Sequence, residues 1–220
     1  MRGRKMTAPI NIDIVSDVMC PWCIIGWKQL EHALKATGHG ATLRWHPFEL
    51  NPDMPPEGQN LRDHLVAKYG TTEDQSAQTR AKMTALGAEL GFAFNFTDDM
   101  RMVNSFRAHQ MIDWAGTLGQ QHAMEMALFA AHFTEGRDVN DTGVLCDLAE
   151  QVGLDRDAAA QVLAEARHAD SVRAKQQFWT DQGITGVPAM VFQQQYLVTG
   201  AQGVETYAQL LDRFATDAPA

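Results

Sequence analysis

Three cysteines occur in this 220-residue chain, and two of them stand in Cys20-Pro21-Trp22-Cys23, a spacing that suits a dithiol able to close into a disulfide. Such a pair passes two electrons to or from another sulfur compound by thiol–disulfide exchange. The attacking species is the thiolate, so one cysteine must sit where negative charge is favoured. Cys20 meets that condition if it opens a helix, because the N–H groups of a first turn carry partial positive charge. Pro21 suits the first helical position, where its missing N–H has no partner to lose. Cys20 is therefore the candidate nucleophile and Cys23 the candidate resolving thiol. Half of a zinc site and two structural cysteines are the competing readings. Zinc usually takes four protein ligands. No second Cys/His pair stands at short spacing, Cys146 is isolated, and the eight histidines form no H-E-x-x-H.

The elements around the pair agree with this placement. Ile10-Asn11-Ile12-Asp13-Ile14-Val15 alternates as a strand does, and over 23–36 the residues Ile24, Trp27, Leu30, Ala33 and Leu34 share one helical face. The cysteines thus straddle a strand-to-helix junction. Residues 41–48 read as a second strand, with Leu43, Trp45 and Pro47 on one side. The Pro-rich stretch 51–58 then breaks the pattern. Helices are expected over 61–69, 72–90, 103–115, 120–133, 144–152 and 156–167. Gly70, Gly91, Gly116 with Gly119, Gly136 and Gly153 mark their ends. A helix over 171–182, strands over 184–192 and 196–199 joined by Gln193-Gln194-Gln195, and a helix over 204–215 complete the chain. The order β-α-β, helices, α-β-β-α predicts an α/β thioredoxin fold, its two halves at 8–50 and 170–217, with a helical insertion at 51–169.

Val187-Pro188 is the second informative feature. Proline in an apolar, β-branched run cannot donate to a sheet ladder, so an edge strand is one reading. A cis X-Pro bond is the other, with Gly183 and Gly186 as a flexible lead-in. Val187 would then offer its main chain to an extended substrate beside Cys20.

The formal charge of −9 and the hydrophobic content of 45% describe a chain with a sizeable core and no general affinity for nucleic acid or an anionic membrane. The basic start Met1-Arg2-Gly3-Arg4-Lys5 is not followed by the apolar stretch of a signal peptide. No run of about 18 apolar residues is present to span a bilayer. A cytoplasmic location is expected, where cysteines rest reduced and a disulfide is transient.

On these residues the chain resembles the DsbA-like thioredoxin superfamily, and more closely its FrnE-like oxidoreductases. The resemblance rests on Ser16-Asp17-Val18-Met19-Cys20-Pro21-Trp22-Cys23-Ile24-Ile25-Gly26, Pro47-Phe48-Glu49-Leu50-Asn51-Pro52, Leu128-Phe129, Phe133-Thr134-Glu135-Gly136-Arg137-Asp138 and Gly183-Ile184-Thr185-Gly186-Val187-Pro188. It implies disulfide exchange with Cys20 attacking, Cys23 resolving and Pro188 as a cis-proline, and with Pro21, Trp22 and Val187 flanking the substrate. Trp22 stands where DsbA carries histidine, so a less oxidising couple is expected.

Asn104-Ser105-Phe106-Arg107-Ala108-His109 is similar to a segment of kappa-class glutathione transferases and 2-hydroxychromene-2-carboxylate isomerases. Those relatives generally carry serine at the position of Cys20. They raise glutathione as a co-substrate, in a site lined by Asn104, Val187 and Pro188. Asn104 and His109 read equally as a helix cap and a hydrogen-bonded packing residue. Asp13, Asp17 and Glu49 are candidate acceptors for the Cys23 proton. Met19, Met54, Met100, Met102, Met111, Met124 and Met126 suit either a peptide groove or a core.

The function expected is a thiol–disulfide oxidoreductase or isomerase acting on protein or small-molecule disulfides, without a resident cofactor or metal. The alternatives are the glutathione-dependent isomerase or transferase and a chaperone-like peptide-binding protein.

Overall fold

The computed structural model of the protein describes residues 9–216. The basic start and the outermost residues of the two expected halves, 8 and 217, lie outside the described residues. Four strands, β1 (Ile10–Ser16), β2 (Ala41–Pro47), β5 (Ala189–Phe192) and β6 (Tyr196–Thr199), form one sheet in the order β2-β1-β5-β6. The first half is the parallel pair β1 and β2, joined by helix α1 (Pro21–Thr37). The second half is the hairpin of β5 and β6, with β5 antiparallel to β1. That is the thioredoxin arrangement.

Alternation along β1 divides the core. Ile10, Ile12 and Ile14 pack with Ile24, Trp27 and Leu30 of α1, and with Tyr207 and Leu211 of α9 (Val204–Thr216). Val15, on the other face, packs with Trp179 of α8 (Ala169–Asp181), Ile184 and Ala189. Helix α1 stops where Gly38 adopts φ 70° and returns its N–H to the Leu34 carbonyl at 2.8 Å. A left-handed residue closes a last turn this way, and glycine does so without a Cβ clash.

The insertion supplies α2 (Leu61–Tyr69), α3 (Glu73–Glu89), α4 (Phe106–Thr117), α5 (Gln121–Phe133), α6 (Thr142–Gln151) and α7 (Arg156–Ala164). Asn60 caps α2 by accepting from the N–H groups of Arg62 and Asp63, and Thr72 forms a reciprocal capping box with Gln75 on α3. Helix α5 is the bridge to the sheet. Its Gln121 side chain pairs with both the N–H and the carbonyl of Trp45 on β2, each at 3.0 Å.

Several boundaries differ from expectation. Helix α4 begins at Phe106 rather than 103, because Asn104 Oδ1 accepts the Phe106 N–H at 2.9 Å and turns the chain there. The strand expected from 184 pairs only from Ala189, since Pro188 has no N–H to give the ladder. Gly116 does not end a helix; it lies inside α4, against the Gln121 side chain. A two-residue ladder, β3 (Gln59–Asn60) with β4 (Arg101–Met102), was not foreseen. It is too short to show an alternating pattern.

Gly87 inside α3 has a packing reason. A Cβ there would lie 2.5 Å from Phe94 Cδ2 and 2.6 Å from the Phe92 carbonyl oxygen. Phe94 in turn stacks on Phe96, with centroids 5.4 Å apart, and meets Phe133 edge-on. In an unconstrained helix, alanine for glycine stabilises by about 0.5–1 kcal/mol. Here the Gly87→Ala variant is expected to lose about 1–3 kcal/mol through overpacking. Urea unfolding measures it, and an equally stable variant would contradict the close approach.

Candidate functional site

Cys20 is the N-cap of α1, with extended backbone and Pro21 at the helix start. The preceding loop is tied by the Cys20 N–H to the Asp17 carbonyl at 2.9 Å, and the Cys23 N–H returns to the Cys20 carbonyl at 3.0 Å. Across the site stands the other end of the chain. The Cys20 thiol donates to the Val187 carbonyl at 3.7 Å, and the Val187-Pro188 peptide bond is cis. Gly26, one turn beyond Cys23, permits this approach. A Cβ on it would come within 3.3 Å of Pro188 Cγ and 3.4 Å of Met190 Cε.

The two sulfurs have different surroundings. Cys20 lines a cavity together with Pro21, Trp22 and Val187. Cys23 is fully buried. Burial pushes its thiol well above the ordinary range, and the neighbouring Cys20 sulfur pushes in the same direction. Hydrogen bonds with the Asp17 backbone and the Ser16 side chain oppose that and favour the thiolate.

Behind Cys23 lies an acid that the sequence reading missed. Ser16 Oγ donates to Glu125 Oε1 at 2.8 Å, and Glu125 is buried on α5. Burial raises its carboxyl group to about 7, against the positive charge of His109 and the Ser16 hydrogen bond, which lower it. Burial also disfavours charge on His109, but Asp17, Glu125 and Glu49 outweigh it and raise that imidazole. Its Nε2–H donates to the Phe48 carbonyl at 2.8 Å, and Asp17 Oδ1 lies 3.6 Å away. The available signal was a lone acid between Met124 and Met126, with Leu128 and Phe129 one turn on.

The three acids named from sequence are otherwise engaged. Burial pushes Asp13 up, but His46 and Arg44 more than reverse this and hold it at about 2. Asp17 accepts the N–H groups of Met19 and Leu50 at 3.1 and 2.7 Å, fastening the loop that carries the cysteines. Glu49 is bonded by Arg173 and Gln176, with its second oxygen buried and unpartnered.

Asn104 is not brought into the cavity wall. Its amide donates to the Met54 carbonyl at 3.3 Å while its oxygen accepts the Phe106 N–H at the start of α4. Pro188 faces α1 rather than the cavity. Of the methionines named, Met19 and Met102 line the cavity, whereas Met111 and Met124 are core. Cys146 is buried on α6, outside the cavity wall, and burial raises its thiol. Among the described residues no cluster of three or more His, Cys, Asp or Glu side chains could hold a metal ion, and no helix is long and apolar enough to cross a membrane.

The DSBA-like thioredoxin domain family matches residues 11–212. The uncharacterized protein YwbO of Bacillus subtilis (strain 168) is 26% identical over 203 residues, which covers 92% of this chain and 96% of that protein. The crystal structure of a probable DsbA oxidoreductase from Streptomyces coelicolor is 32% identical, with 96% of this chain and 92% of that one covered at a TM-score of 0.90. A 2-hydroxychromene-2-carboxylate isomerase structure shares the fold at a TM-score of 0.68 and 16% identity, over 96% of this chain and 100% of that one.

The raised Glu125 carboxyl sets a stability prediction. Its folded pKa of about 7 exceeds the ordinary 4.5, so between these values the folded protein holds a proton that the unfolded chain has released. The wild type therefore loses stability as pH rises from 5 to 8, by up to about 3 kcal/mol from this group. Glu125→Gln lacks that loss, so its stability relative to wild type should climb over the interval in denaturant unfolding. A pH-independent gap would contradict the buried, shifted carboxyl.

Proposed function

The chain belongs to the DsbA-like thioredoxin-domain family of thiol oxidoreductases, and from that membership we propose that Cys20 and Cys23 carry out dithiol–disulfide exchange. The observation that carries the reading is the pairing of a cavity-lining Cys20, bonded to Val187, with a fully buried Cys23 whose thiolate is favoured by Ser16, itself bonded to a buried acid.

The Cys20 thiolate attacks one sulfur of a substrate disulfide. That S–S bond breaks, the leaving sulfur departs with the electron pair, and a Cys20 mixed disulfide forms. The Val187 main chain lies beside the nucleophile and is suited to align the substrate there. Cys23 must then lose its proton. With Glu125 ionised, Ser16 donates to Glu125 and can accept from the Cys23 thiol. Transfer along the chain leaves Glu125 protonated and donating to Ser16, which now donates to the Cys23 thiolate. The Cys23 thiolate attacks the Cys20 sulfur, releases the substrate thiolate and leaves the Cys20–Cys23 disulfide. Two electrons have passed to the substrate, and the reverse sequence oxidises a dithiol.

The pair itself carries the electrons in this scheme, so no resident cofactor or metal is invoked, and a thiol such as glutathione can serve as co-substrate. The proposed setting is the cytoplasm, with protein or small-molecule disulfides as partners and neither nucleic acid nor membrane engaged. Likeness to the isomerase fold, together with the cavity beside Cys20, supports a second reading as a glutathione-dependent isomerase. Glutathione-dependent isomerisation retained by Cys20→Ser would favour it.

Cys23→Ala tests the exchange directly. Cys20 can still attack but nothing resolves the product, so thiol-sensitive adducts should accumulate on non-reducing gels and insulin reduction should fall to background. Cys20→Ala should form none. Equal adducts in both variants would transfer the chemistry to Cys146 and refute the assignment.

A further inference from the structure

The cavity beside Cys20 has about 330 Å³ of space, near the lower end for a small-molecule site. It lies between the start of α1 and the insertion helices α2 and α3. Trp22, Leu65, Met83, Phe96 and Phe133 make most of its wall apolar, and among the described residues no Asp or Glu lines it. In a chain of net charge −9, that absence is local and specific.

One permanent cation lines this wall. Arg80 on α3 is half-buried, and its guanidinium makes one hydrogen bond, to Ser76 Oγ at 3.3 Å. Among the described residues it has no carboxylate partner. The two histidines of the wall do not share the charge at neutral pH. Burial holds His132 at about 4, and burial with the charge of Lys68 lowers His64. His64 is also engaged by Gln59 and Asn51, at 2.8 and 3.1 Å. A second polar group in the same wall is unspent. The Thr71 hydroxyl oxygen is buried without a hydrogen-bond partner.

A half-buried guanidinium without a carboxylate, beside an orphaned hydroxyl and an apolar wall, fits an anionic group attached to an apolar body. Cys20, in the same wall, fits a disulfide. We propose that this cavity selects small organic disulfides with an apolar body and a carboxylate, bound by Arg80 with Thr71 supplying a further hydrogen bond. The inference rests on Cys20 being the nucleophile and names the substrate class. Cys20 bonds to one substrate sulfur, and the other leaves as a thiolate with the electron pair.

The test uses two aromatic disulfides, the dianionic dithiobis(nitrobenzoate) and the neutral dithiodipyridine, each mixed with fully reduced full-length protein in a stopped-flow instrument. The ratio of their second-order rate constants, anionic over neutral, should fall about tenfold in Arg80→Gln, as expected for losing one charge-assisted contact. Arg80→Lys should restore part of it. In the wild type, benzoate should slow the reaction with dithiodipyridine and benzamide should not, which needs no variant. An unchanged ratio in Arg80→Gln, or equal effects of benzoate and benzamide, would overturn the proposal. Reaction of both probes surviving in Cys20→Ala would instead remove the nucleophile assignment, a failure separate from that of the anion site.

Discussion

The hydrogen bond from Ser16 to Glu125 joins the last residue of β1 to the middle of α5, across 109 positions of sequence. It ties the sheet to the inserted helices at the point where Cys23 is buried. A carboxyl group so enclosed is held near neutrality rather than fully ionised. Ser16 donates to this acid, and its hydroxyl also favours the thiolate of Cys23. One helix of the insertion thus carries the residue proposed as proton acceptor for Cys23.

The surrounding network explains how such an acid is tolerated. Its neighbour His109 is raised by the same cluster, and the ring is fixed by the Phe48 carbonyl. Asp17 fastens the loop before Cys20 and the chain at Leu50 with its two oxygens. Removing one member of a buried ionic network leaves the others uncompensated, so these residues act as a unit. Cys20 stands outside this network. It lines the cavity and bonds to the Val187 main chain. Cys20 lines the cavity and Cys23 is fully buried, an arrangement that suits the separate attacking and resolving steps proposed for them.

Much of the fold was legible because its signals are local. Alternating isoleucines in β1 and the apolar stripe of α1 each announce one element within a few residues. The Cys20-Pro21-Trp22-Cys23 spacing is a local signal of the same kind. What was not legible depends on long-range packing. Nothing near Glu125 in sequence announces that its side chain meets Ser16, and Asp13 looked equally suitable until Arg44 and His46 were seen to hold it. The sequence around Asn104 likewise says nothing of its bonds to the Met54 carbonyl and the Phe106 N–H, which the structure supplies. Gly26 is one residue of the front motif in sequence, and only the structure shows the close approach of Pro188 to it.

Resolution of a Cys20 mixed disulfide, followed by rapid mixing across pH in wild type and Glu125→Gln, tests the proposed proton route most directly. If Glu125 takes the Cys23 proton, the wild-type rate rises through a transition near pH 7, where the carboxyl ionises. In the variant that transition vanishes and the rate at neutral pH falls by about a hundredfold, the lower range of general-base catalysis. A variant that resolves at the wild-type rate with the same pH profile would contradict the assignment of Glu125.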